Sequence, residues 1–129
     1  MNIAIIADDS KKELMAQFCI AYRGILEKHN LSATQVTGKY ISEATGLDIE
    51  LLMSGVNGGA EQVASRIAYN EVDVLFYFRD SAPKMGFDET DSNLLRLCDV
   101  HQVPLATNLA TAQVLVLAIS RDEIDWRSR

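Results

Sequence analysis

Cysteine and histidine are both scarce in this sequence. The 129 residues contain two cysteines, Cys19 and Cys98, far apart in apolar stretches, and two histidines, His29 and His101. This supply is too small for a disulfide framework or a zinc site. We therefore expect two buried free thiols, no metal, and a protein of the reducing cytoplasm. Each histidine comes near the end of a predicted helix, where a structural role is expected.

Basic residues are in deficit, and long apolar runs are missing. Twelve Lys and Arg oppose 18 Asp and Glu, a net charge of −6, which argues against a nucleic-acid or anionic-membrane surface. No run approaches the roughly 20 apolar residues of a membrane helix, and the first residues lack the basic start of a signal peptide. The hydrophobic share of 48% excludes a disordered chain. We expect one domain over residues 1–129.

Short apolar runs alternate with amphipathic stretches along the whole chain. The clearest run, residues 72–78, holds six apolar or aromatic side chains beside Asp73. The pattern predicts strands at 3–7, 31–36, 49–53, 72–78 and 104–106, and helices at 11–29, 39–44, 60–70, 91–100 and 108–119. Asp9 or Ser10 is the expected N-cap of the first helix. The alternation predicts a three-layer αβα, doubly wound α/β domain with a five-stranded, mostly parallel sheet.

In such a sheet, ligands bind at the carboxyl ends of the strands. The segments expected there are 8–12, 34–38, 54–59, 80–90 and 107–111. Gly55, Gly58 and Gly59 precede a predicted helix whose first amides suit an anion. The neighbouring polar side chains that also suit a phosphate group are those of Lys12, Thr34, Thr37 and Ser54. Each loop alone is better explained by tight turns and helix caps, but three of them converge on one edge.

Neither a Walker P-loop nor a G-x-G-x-x-G fingerprint is present, so ATP or dinucleotide binding is not supported. The same segments instead resemble the methylglyoxal synthase family over nearly the whole chain. The matching blocks are Ile3–Asp9 with Lys12, Ala33-Thr34, Thr37-Gly38, Ile41-Ser42, Ala44-Thr45-Gly46, Ser54-Gly55, Gly58-Gly59, Gln62-Val63, Asp73-Val74-Leu75, Phe78, Asp80, Leu94-Leu95-Arg96-Leu97, Val103–Asn108 and Ala110-Thr111-Ala112.

The resemblance implies a doubly wound domain that assembles as a homohexamer and holds dihydroxyacetone phosphate by its phosphate, with no cofactor. Lys12, Thr37, Ser54 and Gly55 fall on the family's phosphate-holding positions, and Thr34 and Gly38 belong to the same loop. Asp9 and Asp80 fall on acidic positions that line the pocket. The family reaction removes a proton beside the carbonyl and expels phosphate from the resulting enediolate, so it needs a general base.

The sequence departs from the family pattern at the positions that carry this proton chemistry. Ala60 stands where the family has an aspartate, and Asp8 stands where it has a histidine. A histidine near Phe87 and an aspartate near Thr90 are also missing. The tail is shorter than is usual in the family, which weakens the inference to a hexamer. These departures predict a retained phosphate site with weak or no synthase activity.

A relocated carboxylate is the alternative, with Asp8, Asp9 and Asp80 as the candidate catalytic residues. Asp8 and Asp9 are equally well explained as helix-capping or first-turn acids. Glu61 is a poor substitute because one helical step turns a side chain by about 100°. For the acidic residues 88, 89 and 91, a solvated loop is the favoured explanation.

Two classes of function therefore remain open. The first is an active synthase with a relocated base. The second is a binding module that takes a small phosphorylated molecule or inorganic phosphate, as the similar domain of carbamoyl-phosphate synthetase takes effectors. A Mg²⁺ site on Asp8 and Asp9 is a weaker third option, because two adjacent carboxylates are too few to specify one.

Overall fold

Five parallel strands form a single sheet in the order β3-β2-β1-β4-β5. The computed structural model describes residues 1–52, 58–80 and 89–123, with no account of the side chains of 58, 59 and 89–91. The predicted α/β class and the five-stranded sheet are confirmed, and every described strand pair is parallel. The strands are β1 Asn2–Ala7, β2 Asn30–Thr34, β3 Ile49–Leu52, β4 Val74–Phe78 and β5 Leu105–Ala106.

Helices cover both faces of this sheet and complete three layers. One core joins the sheet to α1, α2, α3 and α6, and a second core joins it to α4 and α5. The helices are α1 Lys12–Ala21, α2 Arg23–Leu26, α3 Gln35–Thr45, α4 Gly58–Ala68, α5 Glu89–His101 and α6 Leu109–Ser120. Within the described ranges, none of them has the length and apolar character needed to span a bilayer.

The central strands are apolar on both faces because helices cover both. In β1, Ile3 and Ile5 belong to the first core, whereas Ala4 and Ile6 belong to the second. All five residues of β4 are buried. Continuous apolar runs of this kind are typical of strands inside a parallel sheet.

The chain changes direction across the sheet between β1 and β4. From β1 it proceeds through β2 to β3 at one edge, then crosses to β4 and continues to β5 at the other edge. β1 and β4 are hydrogen-bonded neighbours, with Ile3 opposite Val74 and Ala7 opposite Phe78. The carboxyl ends of two such diverging strands leave a crevice, which is where open α/β sheets bind ligands.

The first helical region differs from the prediction at its start and its middle. A 3₁₀ turn, Asp9–Lys11, precedes α1, so neither Asp9 nor Ser10 is the N-cap. Asp8 holds the capping position of that turn, but its side chain bonds elsewhere. The predicted helix over 11–29 is interrupted at Tyr22, whose backbone (φ −113°, ψ 24°) separates α1 from α2. The spacing of apolar residues in the sequence continues across Tyr22, so it does not reveal this break in the helix.

The second strand and its helix also have different bounds from those predicted. β2 ends at Thr34 rather than at residue 36, and α3 begins at Gln35 rather than at residue 39. The Thr37-Gly38 pair therefore lies inside a helix and not in a loop. A Cβ on Gly38 would lie 2.5 Å from Leu51 Cδ2 and 3.2 Å from Ala33 Cβ. The glycine thus allows α3 to pack close to β2 and β3. In the sequence alone, a glycine needed for such packing cannot be told from a glycine needed for a turn.

Both cysteines are buried and free within the described residues, as predicted. Burial raises the pKa of the Cys19 thiol to about 12 and that of the Cys98 thiol to about 11, where Asp99 adds a smaller effect. Each therefore packs as a small apolar side chain.

Candidate functional site

Asp8 joins the two strands that diverge at the crevice. Its backbone N–H donates to the carbonyl of Phe78 at 2.9 Å, and its Oδ2 accepts a hydrogen bond from the backbone N–H of Asp80 at 2.7 Å. The end of β1 is thereby fixed to the segment that leaves β4. One of the candidate carboxylates is thus engaged in holding backbone, and two of the predicted site residues are brought together.

Lys12 lies at the start of α1, directly after the 3₁₀ turn that holds Asp9. Its Nζ is 5.7 Å from the centroid of the Tyr40 ring on α3, within the range of a cation–π contact. Lys12 is half-buried and Asp9 is exposed. The lysine predicted to hold phosphate is therefore oriented across the junction of α1 and α3.

Thr34 and Thr37 lie at the start of α3, beside the end of β1. Thr37 is buried, and its hydroxyl donates to the carbonyl of Ala7 at 3.4 Å. Thr34 is the N-cap, but its side chain makes no capping hydrogen bond in the part of the chain that the structure describes. The first amides of α3 therefore lack this side-chain partner, and an anion would be stabilised there by the positive end of the helix dipole.

The other residues predicted to hold phosphate are Gly38, which has a packing role, and two residues that the structure does not describe. Gly38 is buried against β2 and β3. The lack of a side chain at this position lets α3 pack closely on the sheet. Ser54 and Gly55 lie outside the described residues, as does Asp88, and the side chains of residues 89 and 91 are not described.

Ala60 occupies the position at which the family resemblance implies a general base. It is the third residue of α4 and packs against the core formed with α5. Its spacing from Val63, Ala64 and Ile67 places it on the sheet-facing side of the helix, close to its amino end. Glu61 is exposed, in agreement with its step away from that face. The position thus presents a methyl group where proton transfer would need a carboxylate.

The two histidines lie away from this edge. His29 immediately precedes β2, and His101 ends α5, so both are at the amino ends of strands. Burial lowers the pKa of His29, and the Met1 amino group, 3.2 Å from its Nδ1, lowers it further. His29 also lines a polar cleft of about 690 Å³ at that opposite edge, which contains none of the predicted site residues.

Sequence reasoning missed the contribution of Tyr40. Once α3 is known to start at Gln35, Tyr40 lies three residues after Thr37 and hence on the same side of the helix. Predicting the helix start four residues late obscured this relationship. Tyr40 therefore brings Lys12 to the side of α3 on which Thr37 also lies.

The chain is similar to known proteins over nearly its whole length. A methylglyoxal synthase of Caldicellulosiruptor saccharolyticus is 51% identical over 127 residues, covering 98% of this chain and 90% of the relative. One from Alkaliphilus metalliredigens is 46% identical over 129 residues, covering 100% and 96%. The crystal structure of methylglyoxal synthase from Elizabethkingia anophelis NUHP1 superposes with a TM-score of 0.79 at 36% identity, covering 89% of this chain and 76% of that one. No protein-family model matches the chain.

Proposed function

Because the chain belongs to the methylglyoxal synthase family, we propose that it binds a small phosphorylated ligand at the carboxyl ends of β1 and β2. Dihydroxyacetone phosphate or inorganic phosphate is the ligand, and synthase activity is weak or absent. The observation that carries this proposal is the contrast between the group around Lys12, which suits phosphate, and the methyl group of Ala60. We call the set Lys12, Thr34, Thr37 and the first amides of α3 the phosphate rim.

The phosphate rim supplies the three kinds of group that a phosphate needs. Lys12 provides a positive charge, Thr34 provides a hydroxyl not used for capping within the described residues, and α3 provides amides at the positive end of its dipole. Because the whole protein carries a net charge of −6, an anion is held by such local groups and not by the overall field. Ser54 and Gly55 would complete the rim by family resemblance.

Weak synthase activity follows from the lack of a suitably placed base. General acid–base catalysis contributes about 10²–10⁴-fold to a rate, and position 60 supplies no titratable group. Asp8 Oδ2 already accepts the Asp80 N–H. Asp9 is exposed in the 3₁₀ turn, where water competes for its carboxylate.

Binding and turnover are measured separately to test the proposal. Phosphate and dihydroxyacetone phosphate are titrated into the protein by calorimetry, and methylglyoxal formation is followed with the same preparation. Lys12→Gln should weaken binding at least tenfold, whereas Lys28→Gln, on an exposed lysine outside the rim, should not. Ala60→Asp should raise methylglyoxal formation by 10²-fold or more, within the range of general base catalysis. Absence of phosphate binding by the natural protein would refute the proposal.

An active synthase with a relocated base is the second candidate, and identities of 44–51% to proteins named methylglyoxal synthase favour it. Asp9, Asp8 or Asp80 would then remove the proton. Clear turnover by the natural protein, lost in Asp9→Asn but retained in Ala60→Asp, would establish this alternative. Turnover that survives Asp9→Asn would direct the search to Asp8 and Asp80.

We further infer a cytoplasmic homo-oligomer, a hexamer by family resemblance. The two free buried thiols suit a reducing compartment. Exposed apolar side chains on separate elements, Val36 on α3, Val100 on α5 and Val114 on α6, suit contacts between copies. Light scattering coupled to gel filtration gives the mass directly, and a monomer at micromolar concentration would contradict the assembly.

A further inference from the structure

A cleft of about 310 Å³ lies beside the phosphate rim, at the carboxyl ends of β4 and β5. The starts of α1 and α6 flank it. Three apolar side chains, Leu14, Phe78 and Leu109, contribute to its wall together with two cations, Lys11 and Arg79. We call it the Lys11 cleft. Its volume is at the lower end of the range of small-molecule sites, and its mixture of apolar wall and few charges is typical of them.

Two adjacent lysines belong to different surfaces, Lys11 to this cleft and Lys12 to the phosphate rim. Lys12 Nζ lies over the Tyr40 ring on α3, whereas Lys11 lines the cleft with residues that follow β4 and β5. Lys11 ends the 3₁₀ turn and Lys12 begins α1, and one residue step turns the side chain by about 100–120° in such helices, which accounts for the divergence. The two lysines therefore serve two different surfaces.

The charges in the Lys11 cleft favour an anion. Among the residues that the structure describes, the lining of the cleft contains two cations, Lys11 and Arg79, and one acid, Asp80, whose side chain is exposed to water. The Lys11 ammonium makes no hydrogen bond or ion pair with the residues that the structure describes, so no such contact must break when an anion arrives. In a protein of net charge −6, the described lining of the cleft thus carries more positive than negative charge.

The start of α6 adds to this preference. Asn108 Oδ1 accepts hydrogen bonds from the Thr111 amide at 3.1 Å and from the Thr111 hydroxyl at 3.3 Å, so it caps the helix at one amide only. The two earlier amides of α6, at Leu109 and Ala110, precede the first helical hydrogen bonds. They contribute the positive end of the helix dipole beside Lys11 and Arg79.

We propose that the Lys11 cleft is a second ligand site, which binds a small carboxylate with an apolar body. The carboxylate meets the Lys11 ammonium, and the positive charge of Arg79 in the same wall adds to the attraction. A ring or short alkyl group packs against Leu14, Phe78 and Leu109. Inorganic phosphate binds poorly here because it has no apolar part to cover this wall.

Three probes test this site: benzoate and benzyl alcohol are followed by ligand-observed saturation-transfer NMR, and inorganic phosphate is followed by calorimetry. Benzoate carries both charge and ring, benzyl alcohol carries the ring alone, and inorganic phosphate carries the charge alone. Because a ligand as small as benzoate, with about nine non-hydrogen atoms, can gain only a limited binding free energy, its Kd is expected to be about 1 mM. Benzyl alcohol should bind at least fivefold more weakly.

Matched lysine variants locate the binding. Lys11→Gln should weaken benzoate at least fivefold and leave phosphate binding unchanged, whereas Lys12→Gln should do the reverse. Lys28→Gln controls for loss of a positive charge and should change neither. The proposal is overturned if benzoate does not bind saturably, if Lys12→Gln and not Lys11→Gln weakens it, or if benzyl alcohol binds as tightly. Failure of phosphate binding alone would refute the phosphate rim and leave the Lys11 cleft standing.

Discussion

The carboxylate of Asp8 accepts a hydrogen bond from the backbone N–H of Asp80, 72 residues later in the chain, at 2.7 Å. The contact joins the end of β1 to the segment that leaves β4, through a side chain at a position where the resembling family has a histidine. The hydrogen bond to the Asp80 amide gives the Asp8 carboxylate a structural role. It argues against Asp8 as a relocated general base and adds to the argument from the methyl group of Ala60.

Replacement of Asp8 should therefore reduce stability. Asp8→Ala is expected to lower the free energy of unfolding by about 1–2 kcal/mol, because it leaves the Asp80 amide without its charged acceptor. Asp9→Ala, on an exposed neighbour, should change it by less than about 0.5 kcal/mol. Urea denaturation of the three proteins makes the comparison, and equal effects of the two substitutions would contradict the assigned role.

Two glycines in helices should respond oppositely to the same substitution. Gly24→Ala in α2 meets nothing within 4 Å, so it should stabilise the fold by about 0.5–1 kcal/mol through helix propensity. Gly38→Ala should destabilise it by about 1 kcal/mol, because the buried Ala33 Cβ lies 3.2 Å away and overpacking exceeds that gain. Thermal and urea denaturation measure both, and a stabilising Gly38→Ala would show that α3 shifts easily.

The ion pair between Arg66 on α4 and Glu50 on β3 should make stability depend on pH. Hydrogen bonding by the Arg66 guanidinium lowers the pKa of Glu50 below its ordinary value of 4.5. The stabilisation that this ion pair gives the fold is therefore present above the pKa of Glu50 in the unfolded chain. It is lost as pH falls through the pKa of Glu50 in the folded protein. Both groups are partly exposed, so Glu50→Gln should cost no more than about 1 kcal/mol at pH 7.

The same comparison at low pH completes that test. As pH falls through the lowered folded pKa of Glu50, the difference in the free energy of unfolding between the natural protein and Glu50→Gln should shrink toward zero, because the Glu50 carboxylate becomes neutral. Glu43→Gln, on an exposed acid of α3, is the control and should show little difference at either pH. A gap that persists in acid would indicate lost packing and not lost charge.

The two thiols should be inert in the folded protein. Burial raises the pKa of Cys19 to about 12 and of Cys98 to about 11, and the thiolate is the reactive form. A disulfide reagent at pH 8 is expected to modify neither in the native state and both in urea. Fast native labelling that Cys98→Ala removes would show that the core around α5 opens readily.

Local patterns were enough to predict the succession of elements and the class of fold. The apolar runs of β1 and β4 and the amphipathic face of α4 carry their own periodicity, and the structure has them close to where that periodicity predicts. The predicted start of α3 was wrong because the sequence pattern puts Gly38 at the end of a loop. Gly38 is instead a helical residue, and it lacks a side chain because Leu51 and Ala33 lie close to it across the helix–sheet interface. That requirement is invisible in a window of neighbouring residues.

The site was predictable in part, for the same physical reason. Polar residues that follow strands can be grouped at one edge from topology, which brought Asp8, Lys12, Thr34 and Thr37 together. The direction of each side chain cannot be read in this way. The bond from Asp80 to Asp8, the turn of Lys12 toward Tyr40 and the separate position of Lys11 all depend on contacts between distant segments.

The pairing of β1 with β4 also sets an order of assembly. Ile3 lies opposite Val74, so this central contact closes a loop of about 70 residues and carries a correspondingly large entropic cost. During synthesis, β1, β2 and β3 emerge first and can pair with one another. Until β4 leaves the ribosome, the inner side of β1 is an open edge that offers unpaired backbone to other chains. The nascent first half is therefore the stage at which this protein is most exposed to aggregation.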